Sequence, residues 1–109
     1  MNLHIDGHRN ENLGVLKLSG EIDAYTAPQL KEELLALVEE KREVEVDLLK
    51  VNYMDSTGLG VFISALKLSK EKEHHLKLIN LQENVYRLFN ITGLNDVINI
   101  ENTVKGELS

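Results

Sequence analysis

The sequence predicts a single α/β domain, built on a parallel or mixed β-sheet of about five strands with helices between successive strands. The chain has 109 residues, the usual size of one domain. Segments with strand-like alternation are separated by segments with helical periodicity. A helix between two successive strands requires a crossover connection, and crossovers build parallel or mixed sheets. We therefore assign residues 1–109 to one domain.

The first part of the chain predicts two strands. Leu3–Ile5 is a short apolar segment that could form an edge strand, and the polar segment His8–Asn12 is typical of a turn. Leu13–Ser19 carries leucines on either side of Lys17, which is the alternation of a strand. Gly20 is expected to end this strand.

A helix is predicted from about Thr26 to Lys41. Thr26 can cap the free N–H groups of a helix, and Pro28 is tolerated in a first turn. The apolar residues that follow recur at helical spacing: Leu30, Leu34, Leu37 and Val38. Val44–Leu48 then alternates with a period of two, which predicts a strand.

The next segment, Val51–Gly58, is interpreted as a turn that opens a second helix. The apolar stripe of this helix is broad, which indicates burial on more than one side, or a partner. Its members are Leu59, Val61, Phe62, Ile63, Ala65, Leu66 and Leu68. The charged run Lys70–His75 is expected to end it.

The last part of the chain predicts a strand, a helix and a final strand. The strand is Leu76–Ile79, and the helix is Glu83–Thr92, closed by Gly93. Val97–Ile100 is the last predicted strand. The pattern does not assign a structure to the polar tail Glu101–Ser109.

Composition excludes several classes of function. Eighteen acidic side chains outnumber twelve basic ones, and the net charge of −6 disfavours binding to nucleic acid or to anionic membranes. The absence of cysteine removes disulfides and thiolate metal sites. The sequence carries neither an apolar run of about 20 residues nor a signal-peptide pattern, so we expect a cytoplasmic protein. Since no long apolar seam is left over, we also expect a monomer.

Enzymatic and cofactor motifs are incomplete. A hydrolase using Ser56 would need glycine two positions before and two positions after the serine, but Met54 precedes it and only Gly58 matches. Gly58 and Gly60 are followed by neither a P-loop nor a dinucleotide fingerprint, so close backbone packing is their simpler explanation. The histidines and carboxylates lack metal-ligand spacing, and no cofactor is expected.

Ser56 is better suited to a switch. Asp55 or Ser56 is expected to cap the second helix, where a serine hydroxyl is exposed to modification. A phosphate would add about 1.5 to 2 negative charges beside Asp55, and we expect Asp23 to lie near as well. Tyr25 and Thr26 should lie beside these residues in one surface patch. The loop that carries them and the loop that carries Ser56 follow strands whose ends should lie side by side. Phosphorylation would therefore repel a bound partner without unfolding the domain.

Three segments of the sequence resemble a known family. Tyr53–Phe62 is similar to the signature of bacterial anti-sigma-factor antagonists of the STAS family, Gly20–Tyr25 resembles the first loop of that family, and Arg87–Leu94 resembles its third helix and cap. The segments occur in the expected order over nearly the whole chain. Within the family, the sequence most resembles the antagonist of the general-stress, sigma-B, partner-switching module.

This resemblance implies a STAS fold, with a mixed β-sheet of about five strands flanked by helices, and a role that is not enzymatic. The unphosphorylated protein would bind an anti-sigma factor that is also a serine kinase, which frees the sigma factor. Phosphorylation on Ser56, with Thr57 as an alternative site, would abolish binding, and a PP2C-type phosphatase would restore it. The expected partner-binding residues are Asp23, Tyr25, Thr26, Asp55, Ser56, Thr57, Gly58 and Leu59. A STAS module of a larger stress-sensing or transporter assembly is the alternative.

Overall fold

The computed structural model describes residues 2–104, which form five strands and three α-helices. The strands are β1 (Leu3–Arg9), β2 (Leu13–Ile22), β3 (Glu43–Met54), β4 (His75–Ile79) and β5 (Asn99–Glu101). The helices are α1 (Ala27–Glu40), α2 (Ser56–Lys72) and α3 (Glu83–Ile91). The predicted order of elements is confirmed.

The strands form one mixed sheet in the order β1-β2-β3-β4-β5. β1 runs antiparallel to β2, while each later pair of neighbours is parallel. Each of the three helices connects one parallel strand to the next. The predicted α/β class and the mixed sheet of about five strands are therefore correct.

The three helices lie on the same face of the sheet. Parallel crossovers are right-handed, and here each one adds its strand in the same direction, so each helix falls on the same side. The rings of Phe62 in α2 and Phe89 in α3 accordingly lie 5.9 Å apart. The other face carries charged side chains, and the Lys77 ammonium lies 3.8 Å from Glu45 and 3.5 Å from Glu101.

The core lies between the sheet and the helices. Alternate residues of β2, β3 and β4 point into it, as the period of a strand requires. Its largest fully buried side chains are Phe62, Phe89, Ile22, Leu30, Leu34, Leu37, Leu48, Leu78 and Leu81. The helix α2 contacts both α1 and the sheet, which explains its broad apolar stripe.

The central strands are longer than predicted. Gly20 does not end β2 but lies at an irregularity with φ +121°, and the strand continues to Ile22. A Cβ atom on Gly20 would overlap the carbonyl oxygen of Asn2, so glycine is required there. The predicted turn Val51–Gly58 is likewise wrong, because β3 continues to Met54. The extended segments of β2 and β3 pair with each other, which the sequence pattern of either one alone does not show.

Smaller corrections concern the element ends. The predicted turn at His8–Asn12 begins later, because pairing with β2 carries β1 to Arg9. His75 belongs to β4, since it pairs with Glu43. The third helix ends one residue before Thr92, and Gly93 follows with φ +78°, as a helix C-cap requires.

The last strand is shorter than the predicted Val97–Ile100. A 3-10 turn at Leu94–Asp96 leaves Val97 exposed and buries Ile98 before β5 begins at Asn99. In the tail, the backbone N–H of Val104 donates to the Leu81 carbonyl. Residues 105–109 lie outside the described part of the chain.

Candidate functional site

The two loops that carry the predicted site meet at the carboxyl ends of β2 and β3. Residues 23–26 connect β2 to α1, and a single residue, Asp55, connects β3 to α2. The backbone N–H of Asp55 donates to the carbonyl of Ile22 at 3.3 Å, which joins the two connections directly. The expected patch is therefore assembled, because the strands that precede the two loops are neighbours.

The first loop is closed by Asp23 and Thr26. The Asp23 carboxylate accepts hydrogen bonds from the backbone N–H groups of Tyr25 at 2.9 Å and Thr26 at 3.1 Å. The Thr26 hydroxyl accepts from the Asp23 N–H at 2.9 Å and donates to the Glu21 carbonyl at 2.9 Å. Both side chains are buried. Their main effect is therefore to fix the shape of the loop.

This arrangement corrects the predicted role of Thr26. Thr26 precedes α1, as expected, but its side chain makes no capping hydrogen bond to the helix. Its hydroxyl is already engaged with the backbone of Glu21 and Asp23. Pro28 does lie in the first turn, where its missing N–H costs nothing.

Tyr25 is held outward by this loop. Its backbone is fixed by the Asp23 carboxylate, yet 86% of the residue is exposed, the highest value among the large exposed apolar residues of the described segment 2–104. A tyrosine ring offers a large contact area and loses little conformational entropy on binding. Tyr25 therefore fits an interaction with another protein.

Asp55 caps α2 and is held in its ionised form. Its carboxylate accepts from the backbone N–H of Thr57 at 3.0 Å and from the Thr57 hydroxyl. The hydrogen bond from the hydroxyl, aided by backbone N–H groups, lowers the pKa of Asp55 below its ordinary value of 3.8. A negative charge thus lies permanently beside Ser56.

The two candidate hydroxyls differ in availability. Ser56 is the first residue of α2, and its side chain is exposed. Thr57 is also exposed, but its hydroxyl is committed to the Asp55 carboxylate. Modification of Thr57 would remove the hydrogen bond from its hydroxyl to the Asp55 carboxylate, whereas modification of Ser56 leaves that bond in place.

Gly58 and Leu59 support the patch from beneath. Both residues are buried, and a Cβ atom on Gly58 would lie 2.5 Å from Met54 Cγ and 2.8 Å from Ile22 Cγ2. Glycine therefore lets α2 start directly against the ends of β2 and β3. The packing explanation is correct for Gly58 but wrong for Gly60, where a Cβ atom would meet nothing within 4 Å.

The structure adds a shallow groove that sequence reasoning missed. It runs between the first turns of α1 and α2, beside Thr57, and most of its lining is small or apolar. The lining residues are Ala24, Ala27, Pro28, Lys31, Thr57, Gly60, Val61 and Ser64. The one available signal was an exposed glycine, Gly60, in a helix where alanine would be more favourable.

His8, His74 and His75 lie away from Ser56 in the fold. His74 and His75 follow the opposite end of α2, about 25 Å away at 1.5 Å per helical residue. The ring of His74 bonds to the Val38 carbonyl at 2.8 Å, and His8 bonds to Asp6. None of these three histidines therefore provides Ser56 with the base that a hydrolase needs, and His4 is exposed on the face of the sheet opposite the helices.

Neither a cluster of metal-binding side chains nor a membrane-spanning helix is found in the described part of the chain. Within residues 2–104, no three histidine or carboxylate side chains are placed to hold a metal ion together. Among the helices of the same residues, none is both long enough and apolar enough to cross a bilayer.

Comparison with known proteins identifies sequence relatives. The STAS domain family model matches residues 4–106. An anti-sigma-B factor antagonist from Bacillus subtilis is 46% identical over 106 residues, which cover 97% of each chain. An anti-sigma-B factor antagonist from Listeria monocytogenes is 50% identical over 93 residues, covering 84% of this chain and 81% of the relative.

Solved structures share the fold. The anti-sigma factor antagonist SpoIIAA superposes with a TM-score of 0.80 in its unphosphorylated form and 0.74 in its phosphorylated form, at 16% and 15% identity. The alignments cover 93% of this chain and 89% and 92% of the SpoIIAA chains. At this identity the likeness concerns the fold alone. The family model and the sequence relatives show that this chain belongs to the STAS domain family and, within that family, to the group of anti-sigma-B factor antagonists.

Proposed function

We propose that this protein is a phosphorylation-controlled antagonist of an anti-sigma factor. In its unphosphorylated form it binds the anti-sigma factor and thereby releases the sigma factor for transcription. The observation that carries this proposal is the exposed Ser56 hydroxyl, which lies between an ionised Asp55 and the groove beside Thr57. The names of the sequence relatives support the choice of an anti-sigma factor as the partner.

The partner is proposed to be a serine kinase as well as an anti-sigma factor. Docking against Tyr25 and the loop at Ser56 would bring the serine hydroxyl to the kinase together with its ATP. The hydroxyl would attack the γ-phosphorus, lose its proton and displace ADP. A PP2C-type phosphatase would hydrolyse the resulting phosphoserine and restore the binding form.

Electrostatic repulsion would end the interaction. A phosphate on Ser56 adds about 1.5 to 2 negative charges to a surface that already carries the Asp55 carboxylate. Asp23 lies in the adjoining loop, joined to Asp55 through Ile22. The N-terminus of α2 favours the added charge, so the domain stays folded while the partner meets a bulky dianion.

The remaining residues have distinct proposed roles. Tyr25 and Ser56 would contact the partner, while the Thr57 hydroxyl holds the Asp55 carboxylate. Four buried residues would act mainly by fixing the shape of this surface: Asp23, Thr26, Gly58 and Leu59. We further propose that the binding unit is one chain, that it has no enzymatic activity of its own, and that it acts in the cytoplasm.

Mass spectrometry after incubation with the anti-sigma kinase and ATP tests the proposal. We expect a gain of one phosphate, located on Ser56. The Ser56→Ala variant should gain none, and a Thr57→Val variant should still be phosphorylated on Ser56. A phosphate found on Thr57 in the wild-type protein, or none at all with an active kinase, would contradict the proposal.

A further inference from the structure

The two edges of the sheet differ in how well they are protected. β5 contains three residues and is soon followed by Asn102 at φ +61°, which bends the chain away from a strand path. β1 contains seven residues, and its pairing with β2 runs without a register shift from Leu3 to Arg9. It carries no proline, lysine or bulge, which are among the usual devices that prevent an edge from pairing, and its charged residues are Asp6 and Arg9.

The hydrogen-bonding groups on the open side of β1 can be assigned from those on the paired side. The carbonyl of Asn2 accepts from Glu21, and the N–H of Asn10 donates to Leu13, so even-numbered residues face β2. In an antiparallel strand, both backbone groups of a residue point the same way, and the direction alternates. The odd-numbered residues of β1 therefore present their N–H and C=O groups outward: Leu3, Ile5, Gly7 and Arg9.

The side chains of β1 also divide into two sets. Leu3 and Ile5 are half-buried against the core, on the helix side of the sheet. His4, Asp6 and His8 are exposed and occupy the other face. A strand added at this edge would meet apolar groups on one face and alternating histidine and aspartate on the other.

We propose that β1 pairs with β1 of a second copy of this chain, antiparallel and about a two-fold axis at Ile5. This register places Ile5 opposite Ile5, and Leu3 opposite Gly7 of the second copy, so that the outward backbone groups bond in pairs. On the other face, His4 lies opposite Asp6 of the second copy, and Asp6 lies opposite its His4. Each of these cross-strand contacts is favourable.

Neighbouring registers are less favourable. An axis at Asp6 would place the two Asp6 carboxylates directly opposite each other, which is destabilising. An axis at Gly7 would place Ile5 opposite Arg9, which in the single chain already bonds to Glu40 at 3.0 Å. An axis at Gly7 also sets Asp6 opposite His8, so the contact between the two Ile5 side chains is what favours the axis at Ile5 over the two neighbouring ones.

Such a dimer joins two five-stranded sheets into one continuous sheet. It needs no apolar seam, because backbone hydrogen bonds supply most of the contact. One strand edge is a small interface, so the association should be reversible and concentration-dependent. The contact uses no residue of the proposed partner-binding patch, so the inference does not depend on the proposed function.

Cysteine scanning of the full chain tests the register. The sequence contains no cysteine, so single Ile5→Cys, Asp6→Cys and Gly7→Cys variants each carry one thiol. Facing residues of a hydrogen-bonded antiparallel pair have Cα atoms about 5.5 Å apart, within the range of a disulfide. We expect mild oxidation to link Ile5→Cys into a covalent dimer faster than the other two variants. Faster linkage of Asp6→Cys or Gly7→Cys would overturn the proposed register.

Sedimentation equilibrium tests the contact itself. We expect the mass of the wild-type protein to rise from one chain toward two between about 10 µM and 1 mM, the range of a weak interface. Gly7→Pro should stay at one chain, because its lost N–H faces outward and the β1–β2 pairing is kept. Asp6→Lys, which sets lysine opposite His4, provides a second test if proline disturbs folding. A wild-type mass of one chain throughout, or undiminished association of both variants, would overturn the proposal.

Discussion

The backbone N–H of Asp55 donates to the carbonyl of Ile22 at 3.3 Å, so the residue before Ser56 is bonded to the residue before Asp23. This bond is the last link between β2 and β3. It places the start of α2 and the loop that precedes α1 in one continuous surface. The proposed switch and the exposed Tyr25 therefore have a fixed relative position before any partner arrives.

The extension of β3 that makes this bond possible is supported by side-chain amides. β4 ends at Ile79, so β3 continues beyond its neighbour with an unpaired edge. The amide of Gln82 donates to the Leu49 carbonyl at 2.7 Å, and the amide of Asn84 donates to the Asn52 carbonyl at 3.0 Å. These bonds satisfy backbone carbonyls of β3 that have no hydrogen-bond partner in β4, because β4 is the shorter strand.

We expect charge at position 56 to decide partner binding. The Ser56→Ala variant should bind the anti-sigma kinase about as well as the wild-type protein, because the exposed hydroxyl is not needed to hold the fold. Ser56→Glu should bind at least about tenfold more weakly, or 1.4 kcal/mol, because it sets a second carboxylate beside Asp55. Titration calorimetry measures both affinities. Since a carboxylate carries less charge than a phosphate, phosphorylated wild-type protein is the stronger comparison, and equal affinity of that form would contradict the electrostatic mechanism.

Tyr25→Ala should weaken binding without changing stability. The ring is almost fully exposed, so its removal should alter the free energy of unfolding by less than about 0.5 kcal/mol. Exposed aromatic side chains at an interface centre commonly contribute about 2 kcal/mol or more to binding. Tyr53→Ala is the matched control, because Tyr53 is also an exposed tyrosine but lies on β3. Equal losses of affinity for the two variants would argue against a specific role of Tyr25.

Asp55 should make folding stability depend on pH. The pKa of Asp55 is lowered in the folded state from its ordinary value of 3.8. The ionised carboxylate therefore stabilises the fold at pH values above 3.8. That contribution is lost as the pH falls from 3.8 through the lowered pKa. Asp55→Asn keeps a good capping residue but removes the charge, so its stability should differ from wild type at neutral pH, with the difference shrinking in acid. Urea unfolding at several pH values measures this, and a difference independent of pH would contradict the assignment.

The two glycines of the signature should respond in opposite ways to alanine. Gly58→Ala should destabilise the protein by about 1–3 kcal/mol, because its Cβ would press on Met54 and Ile22. Gly60→Ala should stabilise it by up to about 1 kcal/mol, because its Cβ meets open space in a helix. Thermal unfolding of the two variants provides the comparison. Equal changes would show that packing does not distinguish the two sites.

The sequence predicts the order of elements because each helix and strand has its own periodicity. The length of the central strands was not predicted, since Val51–Met54 lacks strict alternation and becomes a strand only through its pairing with β2. The patch itself was predicted from the neighbouring strand ends. The roles within it were not all predicted, because the engagement of the Thr26 hydroxyl with Glu21 and Asp23 depends on a loop shape that no local pattern specifies.

The sequence does not predict the groove, because most of its lining residues come from two separate helices. Pro28 and Lys31 belong to one helix and Val61 and Ser64 to another, and only the packing of α1 against α2 brings them together. An exposed helical glycine is visible in the sequence, but the space around it is not.

A single residue separates the last residue of β3 from the first of α2, so this connection has no spare length. We therefore expect the backbone to keep its path when a group is attached at Ser56. The modified and unmodified proteins would then have the same shape and differ only in their surface. The partner would then detect the difference in the surface. The antagonist would not need to refold when it is phosphorylated or when the phosphate is removed.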